Sequence, residues 1–260
     1  MRSHLFRSER RRVIAGRFSI AGLIACLSFQ TQSAIAESCP TQTFATSVAL
    51  GGNYETSSGT CIQTTGNLTV TLSGTVTCNA TDGWCAPAVR SLSGVAELTG
   101  GGTIRGPFSV AVEDFQAVHS IKIGAGGTTG NAPLYGIVGD VIDQVDGCEL
   151  SDCGVAIYGV MKDSSSWIRD NYIDADGFTA ILVSGTGSGS GPRIEKNYII
   201  DFGYGVVGGG TKLRVLDNVL TTPSGTEPEF IDGSGTWVID GNLCLDASDC
   251  PLPAPGWQLP

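Results

Sequence analysis

Four aspartates in the second half of the chain recur with a spacing that could bring their carboxylates together. Each follows, by three to five residues, a position that recurs about every 23 residues; they are Asp152, Asp174, Asp176 and Asp201. Close carboxylates can hold Ca²⁺. They can also divide into a general acid and a general base, for which Asp176 and Asp201 are the candidates, because like charges raise the pKa of one partner. Four solvated turn residues are the alternative, since aspartate is common in turns.

One histidine and three tyrosines are further candidates. His119 is the only histidine after residue 36. It could serve in acid–base catalysis, although alternation in residues 118–123 places it on the polar side of a strand, where an inert histidine is the alternative. Tyr172, Tyr198 and Tyr204 belong to consecutive copies of the repeat. Stacked aromatic rings could form a platform for sugars, or could pack against the neighbouring copy instead.

A repeat must position these side chains. Four segments share the pattern apolar-x-x-Asn-x-apolar, and their asparagines, which are spaced by 26, 21 and 24 residues, are Asn171, Asn197, Asn218 and Asn242. A fifth copy places Cys148 at the asparagine position. Each copy is followed by a turn and a second short apolar run, too short for a helix.

Short strands at this period predict an all-β fold, a parallel β-solenoid of roughly 7–10 coils. Coils that stack at about 4.8 Å per step would bury the apolar residues and line up the asparagines as an internal ladder. With 37 glycines and 15% charged residues, the composition argues against a helical bundle. A leucine-rich repeat requires a denser leucine pattern. A β-sandwich would not explain asparagines that recur at one phase.

These asparagine copies, together with the segment Leu-Thr-Gly-Gly-Gly-Thr-Ile-Arg-Gly at residues 98–106, resemble the right-handed parallel β-helix proteins of the pectin-lyase-like superfamily. The resemblance covers roughly residues 60–245. It implies a secreted enzyme, a polysaccharide lyase, epimerase or hydrolase, that acts on an extracellular polysaccharide.

The resemblance also gives the cations a role. In β-helix lyases and epimerases of uronates, a lysine or arginine removes the proton next to a carboxylate, which a second cation or Ca²⁺ holds. Lys162 and Arg169 are the candidate bases, and Arg193 and Lys196 would bind substrate. The alternative is an outward ladder of ion pairs, which would contribute little to stability.

Two other functions fit the same sequence. A non-catalytic surface, adhesion or carbohydrate-binding protein would suit a small and rigid exported module. An enzyme of another type on the same scaffold is the third possibility. The substrate is not encoded in any motif.

The first 36 residues are typical of a secretory signal. They combine a basic start, an apolar run at residues 18–29 and an Ala-x-Ala site at residues 34–36. Export by the twin-arginine or the general secretory route fits equally, and the product would be secreted or periplasmic. Its formal charge is −15, with 9 basic and 24 acidic residues. That charge argues against nucleic acid or an anionic membrane as partner.

Eight cysteines remain after residue 36, an even number that favours disulfides in an exported chain. Their spacing suggests four local pairs: Cys39–Cys61, Cys78–Cys85, Cys148–Cys153 and Cys244–Cys250. The exported part is predicted to be a single domain, residues 37–260. Residues 37–62 would form its N-terminal cap, and the proline-rich residues 246–260 its C-terminal cap or tail.

Overall fold

The computed structural model of the protein describes residues 37–39, 41–124, 132–186, 189–210, 212–221, 229–234 and 237–245. In these residues the chain forms 28 strands, which build the three parallel sheets of a β-solenoid. The predicted all-β solenoid with disulfides is thereby confirmed. The predicted signal segment at residues 1–36 and the predicted cap at residues 246–260 lie outside the described residues.

The chain passes through the three sheets, which we name A, B and C, in the same order in each coil. Among the described residues, sheet A has ten strands: β1 (Glu37–Ser38), β4 (Asn53–Thr56), β7 (Thr75–Cys78), β10 (Thr103–Arg105), β13 (Lys122–Ile123), β16 (Glu149–Ser151), β19 (Tyr172–Asp174), β22 (Tyr198–Ile200), β25 (Val219–Thr221) and β28 (Leu243–Leu245). Sheet B has nine: β2 (Gln42–Phe44), β5 (Ile62–Thr65), β8 (Val89–Ser93), β11 (Val110–Glu113), β14 (Tyr135–Gly139), β17 (Val155–Met161), β20 (Thr179–Gly185), β23 (Tyr204–Gly210) and β26 (Glu229–Ser234). Sheet C also has nine: β3 (Val48–Leu50), β6 (Leu68–Leu72), β9 (Ala96–Thr99), β12 (Ala117–His119), β15 (Gln144–Asp146), β18 (Trp167–Arg169), β21 (Arg193–Glu195), β24 (Arg214–Leu216) and β27 (Val238–Asp240).

Equivalent residues of successive coils stack in vertical columns, because each strand pairs in parallel with the strand one coil further on. In sheet C, Ile168 is the partner of Ile194, and Ile194 is the partner of Val215. All three are fully buried, and burial of such a side chain contributes about 1.5–3 kcal/mol. Alternation along each strand turns the flanking residues outward. The outward columns therefore form continuous faces on which a site can lie.

The predicted asparagine ladder lines the corner between sheets C and A. The side-chain amide of Asn197 donates to the side-chain oxygen of Asn218 at 2.9 Å and to the Ile168 carbonyl at 3.0 Å. Its side-chain oxygen accepts the backbone N–H and the side-chain amide of Asn171, at 3.2 and 2.9 Å. Asn171, Asn197 and Asn218 are buried polar residues. Each bond satisfies a group that would otherwise be costly to bury.

The residue before each ladder position takes a left-handed backbone conformation. At Asp170, Lys196 and Asp217 the φ angles are 55°, 57° and 53°. Aspartate tolerates this region because its short polar side chain can bond locally, whereas lysine does so less readily. Lys196, predicted to bind substrate, is therefore an exposed corner residue.

Two disulfides, both as predicted, lie near the N-terminal end; the first joins neighbouring coils, and the second closes the turn between β7 and β8 within one coil. Cys39 is bonded to Cys61, and Cys78 to Cys85. Their presence indicates an oxidising environment. The predicted pair of Cys244 and Cys250 lies outside the residues whose side chains the structure describes.

The predicted disulfide between Cys148 and Cys153 is wrong, because both are free, buried thiols. Cys148 precedes strand β16 and Cys153 follows it, so an extended segment on the order of 10 Å or more holds them apart. A disulfide requires Cα atoms within about 7 Å. Burial raises the pKa of each thiol to about 12, so neither ionises readily or acts as a nucleophile.

Candidate functional site

The outer face of sheet B carries a groove that crosses four coils. Its centre is a register column of Val138, Tyr158, Leu182 and Val207 on β14, β17, β20 and β23. The groove has a volume of about 260 Å³ and includes Asp140 among its lining residues. A solvated sheet face is normally polar, so an apolar column in the open is a feature of binding surfaces.

Small residues make room beside this column. The next outward column changes from Val160 to Ser184 and then to Gly209, in register on successive strands. Under it, a Cβ on Gly208 would lie 2.3 Å from the Val183 carbonyl oxygen, so only glycine permits the coils to approach here. The sequence therefore forms the groove by placing small residues, Ser184 and Gly209, at outward positions that larger side chains would fill.

Two tyrosine rings approach each other on sheet B; Tyr158 belongs to the central column of the groove, whereas Tyr135 is not among its lining residues. The rings of Tyr135 and Tyr158 are 6.1 Å apart and tilted by 50°. Tyr158 is 44% exposed, and its neighbours in the column, Val138 and Leu182, are apolar. Tyr204 starts β23 on the same sheet and is 43% exposed. Exposed aromatic faces next to apolar side chains suit the apolar faces of sugar rings.

Three carboxyl groups lie close to the coil of Val138, and one of them, Asp140, lines the groove. Glu113 precedes Val138 in the central column and pairs with Arg90 at 2.8 Å. Burial raises the pKa of Glu113; the charge of Arg90 lowers it, and those of Asp114 and Asp140 raise it further. Asp114 accepts the backbone N–H of Asp140 at 3.3 Å. Asp140 itself is exposed and lines the groove. Glu113 is thus held towards its protonated form, close to the exposed carboxyl group of Asp140.

Glu113 and Asp140 are not among the residues that the sequence predicts, because the asparagine repeat begins only with the copy that contains Cys148. The signal in the sequence that indicates them is the short apolar strands upstream of the repeat, each next to an acidic residue. The apolar run Val110–Glu113 ends on an acidic residue, and Tyr135–Gly139 is followed by one, Asp140. The register of Ile137 with Ile157 continues sheet B upstream.

The four predicted aspartates do lie at one corner, between sheets A and B. Asp152, Asp176 and Asp201 have φ angles of 57°, 44° and 48°. Burial raises the pKa of Asp174; the Asp176 backbone N–H opposes this, and the charges of the other three raise it further. In the described part of the chain, no group of three or more His, Cys, Asp or Glu residues is arranged to hold a metal ion. Their visible role is to turn the corner, while Ca²⁺ binding and catalysis there stay predictions.

The other predicted residues lie on different faces. Lys162 is exposed just beyond the end of β17, whereas Asp152 lies before the start of that strand. Roughly 25 Å of extended chain therefore separates the two residues. Tyr172 and Tyr198 do stack, with centroids 5.8 Å apart and an angle of 21°, but on sheet A. Tyr204 faces out from sheet B and does not join them.

Sheet C brings together the remaining three. His119 Nδ1 lies 2.8 Å from Asp146 Oδ1 on the next coil. Arg169 follows one coil later, and Arg193 lies in the neighbouring column. Their predicted catalytic and binding roles stay predictions.

Comparison with protein-family models, with curated proteins and with solved structures found no match. The fold alone therefore defines the class of the molecule, a disulfide-bonded parallel β-solenoid. Among the described residues no helix has the length and apolar character needed to cross a membrane.

Proposed function

We propose that this chain is a pectin-lyase-like β-helix that binds an extracellular polysaccharide along the sheet B groove and hydrolyses it. In this proposal Glu113 is the general acid and Asp140 the general base. The observation that carries it is that Asp140 lines the apolar groove, while Glu113, whose pKa is raised, is the register partner of Val138 in the central column.

The dimensions support a polysaccharide. Successive coils are spaced by about 4.8 Å, close to the length of one sugar unit in an extended chain. A groove across four coils would therefore take several sugars, with their apolar faces on the side chains of Tyr158, Leu182 and Val207. Ligand sites commonly combine such an apolar lining with few polar groups.

The electrostatics support hydrolysis. Glycoside hydrolases use one carboxylic acid to protonate the leaving oxygen and one carboxylate to activate water or attack the sugar. Glu113, with its raised pKa, is suited to give a proton. Asp140, exposed at the groove, is suited to the second role. Environments that differ in this way allow two carboxyls to take opposite roles.

The test is turnover of a panel of neutral and acidic polysaccharides, read as new reducing ends. Hydrolysis predicts reducing ends without an unsaturated product, whereas a lyase with Lys162 as base would give a product that absorbs in the near ultraviolet. Glu113→Gln and Asp140→Asn should each lower kcat at least 100-fold. Asp82→Asn, the same change at an exposed residue outside the groove, should leave it unchanged. Binding without turnover by the unmodified protein would favour the non-catalytic alternative.

A further inference from the structure

The strands that form the sheet B groove carry no charged residue. β14, β17, β20 and β23 consist only of apolar residues, glycines and residues with a hydroxyl group. In the same coils, sheet A carries Glu149 and Asp174, and sheet C carries Asp146 and Arg169. Among the described residues that line the groove, Asp140 alone is charged. The absence of charge therefore distinguishes the groove from the neighbouring faces of the same coils.

A charged sugar would find a poor partner on this face. The central column of the groove, from Val138 to Val207, places apolar side chains or a tyrosine against a ligand. An ionised group that lies over them would lose its hydration and gain no opposite charge, which is unfavourable. The carboxylates of Asp114 and Asp140, close to the coil of Val138, would in addition repel an anionic chain. An uncharged sugar avoids both costs.

Hydroxyl groups are the polar side-chain groups that these strands offer. Tyr158 and Ser184 line the groove on adjacent strands. A hydroxyl group both donates and accepts hydrogen bonds, as do the hydroxyl groups of a sugar. Ligand sites commonly join an apolar lining to a few such polar groups. The groove therefore matches the chemistry of an uncharged sugar, which has apolar CH faces and hydroxyl edges.

The shape of the groove favours an extended glycan. The strands β14, β17, β20 and β23 pair without a register shift, so the central column is straight and advances by about 4.8 Å per coil. Beside it, the outward side chains become smaller from Val160 to Ser184 and Gly209, which widens the groove. Sugars joined through equatorial bonds form an extended ribbon, whereas axial linkages make the chain coil. A straight groove therefore suits the ribbon.

We propose that the sheet B groove binds an uncharged, extended glycan with equatorial linkages, at one sugar per coil over its four coils. The sugar rings lie on Tyr158, Leu182 and Val207, and Ser184 and Gly209 give the chain its width. This inference rests on the proposed function and narrows it, because it excludes the uronates on which a lyase would act.

The experiment is calorimetric titration with three hexasaccharides of the same linkage: cellohexaose, and the corresponding oligomers of glucuronate and of glucosamine. The Glu113→Gln variant is used so that hydrolysis does not consume the ligand. Cellohexaose should bind about 10-fold more tightly than either charged oligomer. Its Kd should change less than about 2-fold when the salt concentration is raised, because salt screens only charged partners.

Ser184→Val tests where the chain lies. A valine, Val160, already occupies the equivalent position one coil earlier, so the sheet should accept the substitution. The larger side chain would refill the groove, and binding of cellohexaose should weaken roughly 10-fold. Thr179→Val is the matched control, since Thr179 lies on the same strand but is not among the lining residues. It should leave binding unchanged, and circular dichroism checks that both variants are folded.

Three results would overturn the inference: no binding of cellohexaose, tighter binding of the glucuronate or glucosamine oligomer, or equal binding by the two valine variants. Failure of the proposed hydrolysis would look different. Cellohexaose would then bind in the groove, but the unmodified protein would release no new reducing ends. Conversely, hydrolysis of an acidic polymer alone, abolished by Glu113→Gln, would keep the proposed hydrolysis and reject the uncharged ligand.

Discussion

Two sets of stacked residues in this solenoid follow opposite rules. The ladder at the corner between sheets C and A repeats one residue, asparagine, over four coils and buries the first three copies. The outward column of sheet B changes at nearly every step, from Arg90 and Glu113 to Val138 and Tyr158. Repetition therefore marks what holds the coils together, and variation along a column marks where a ligand can be recognised.

The largest effect should come from removing a ladder residue. Asn197→Ala would leave the Ile168 carbonyl and the Asn171 amide without their partners. Since each buried polar group left unsatisfied costs about 1–3 kcal/mol, we expect a loss of about 3–5 kcal/mol. Denaturant unfolding measures this.

Asn79→Ala is the control for that experiment. Asn79 bonds Glu55 at 2.9 Å on the surface, so its loss should cost about 0.5 kcal/mol or less. Equal losses in the two variants would show that the ladder is not special.

A substitution in the variable outward column of sheet B should instead lower the catalytic activity. Glu113→Gln removes the transferable proton but keeps the shape, so kcat should fall at least 100-fold, which corresponds to about 2.7 kcal/mol. In the unmodified protein, kcat/KM should fall as the pH rises through the raised pKa of Glu113, because the acid is then lost. A pH profile unchanged in the variant would contradict the assignment.

A smaller effect is expected at the groove wall. Tyr158→Ala removes an exposed ring beside Leu182, and KM for the polysaccharide should rise about 10-fold with little change in kcat. Tyr172→Ala, an exposed ring of sheet A, is the matched control. If both variants raise KM alike, the groove is not the binding surface.

The smallest effect should be an increase in the stability of the fold. Cys148 occupies the next ladder position, with its Sγ 3.7 Å from the Val118 carbonyl. Cys148→Asn would extend the ladder by one step and stabilise the fold by about 0.5–1 kcal/mol. Cys153→Asn, at a buried corner thiol outside the ladder, should destabilise it. An equal loss of stability in the Cys148 and Cys153 variants would contradict this interpretation.

The fold was predictable because its signal repeats. Asn171, Asn197 and Asn218 occupy the same position in successive copies of the repeat. A ladder requires only that equivalent residues recur at that position. That Cys148 and Cys153 are not bonded could not be predicted from their proximity in sequence, because it depends on the extended strand that holds them apart. Glu113 and Asp140 escaped detection since a site on a solenoid is assembled from different coils and has no motif of its own.

The most direct test of the central claim is a crystal structure of the inactive Glu113→Gln variant with an oligosaccharide that the unmodified protein cleaves. We predict that the sugar chain lies along the sheet B groove, with a ring on Tyr158 and the scissile oxygen beside residue 113 and Asp140. An oligosaccharide that occupies only sheet C or the corner of Asp174, and leaves the groove empty, would contradict it.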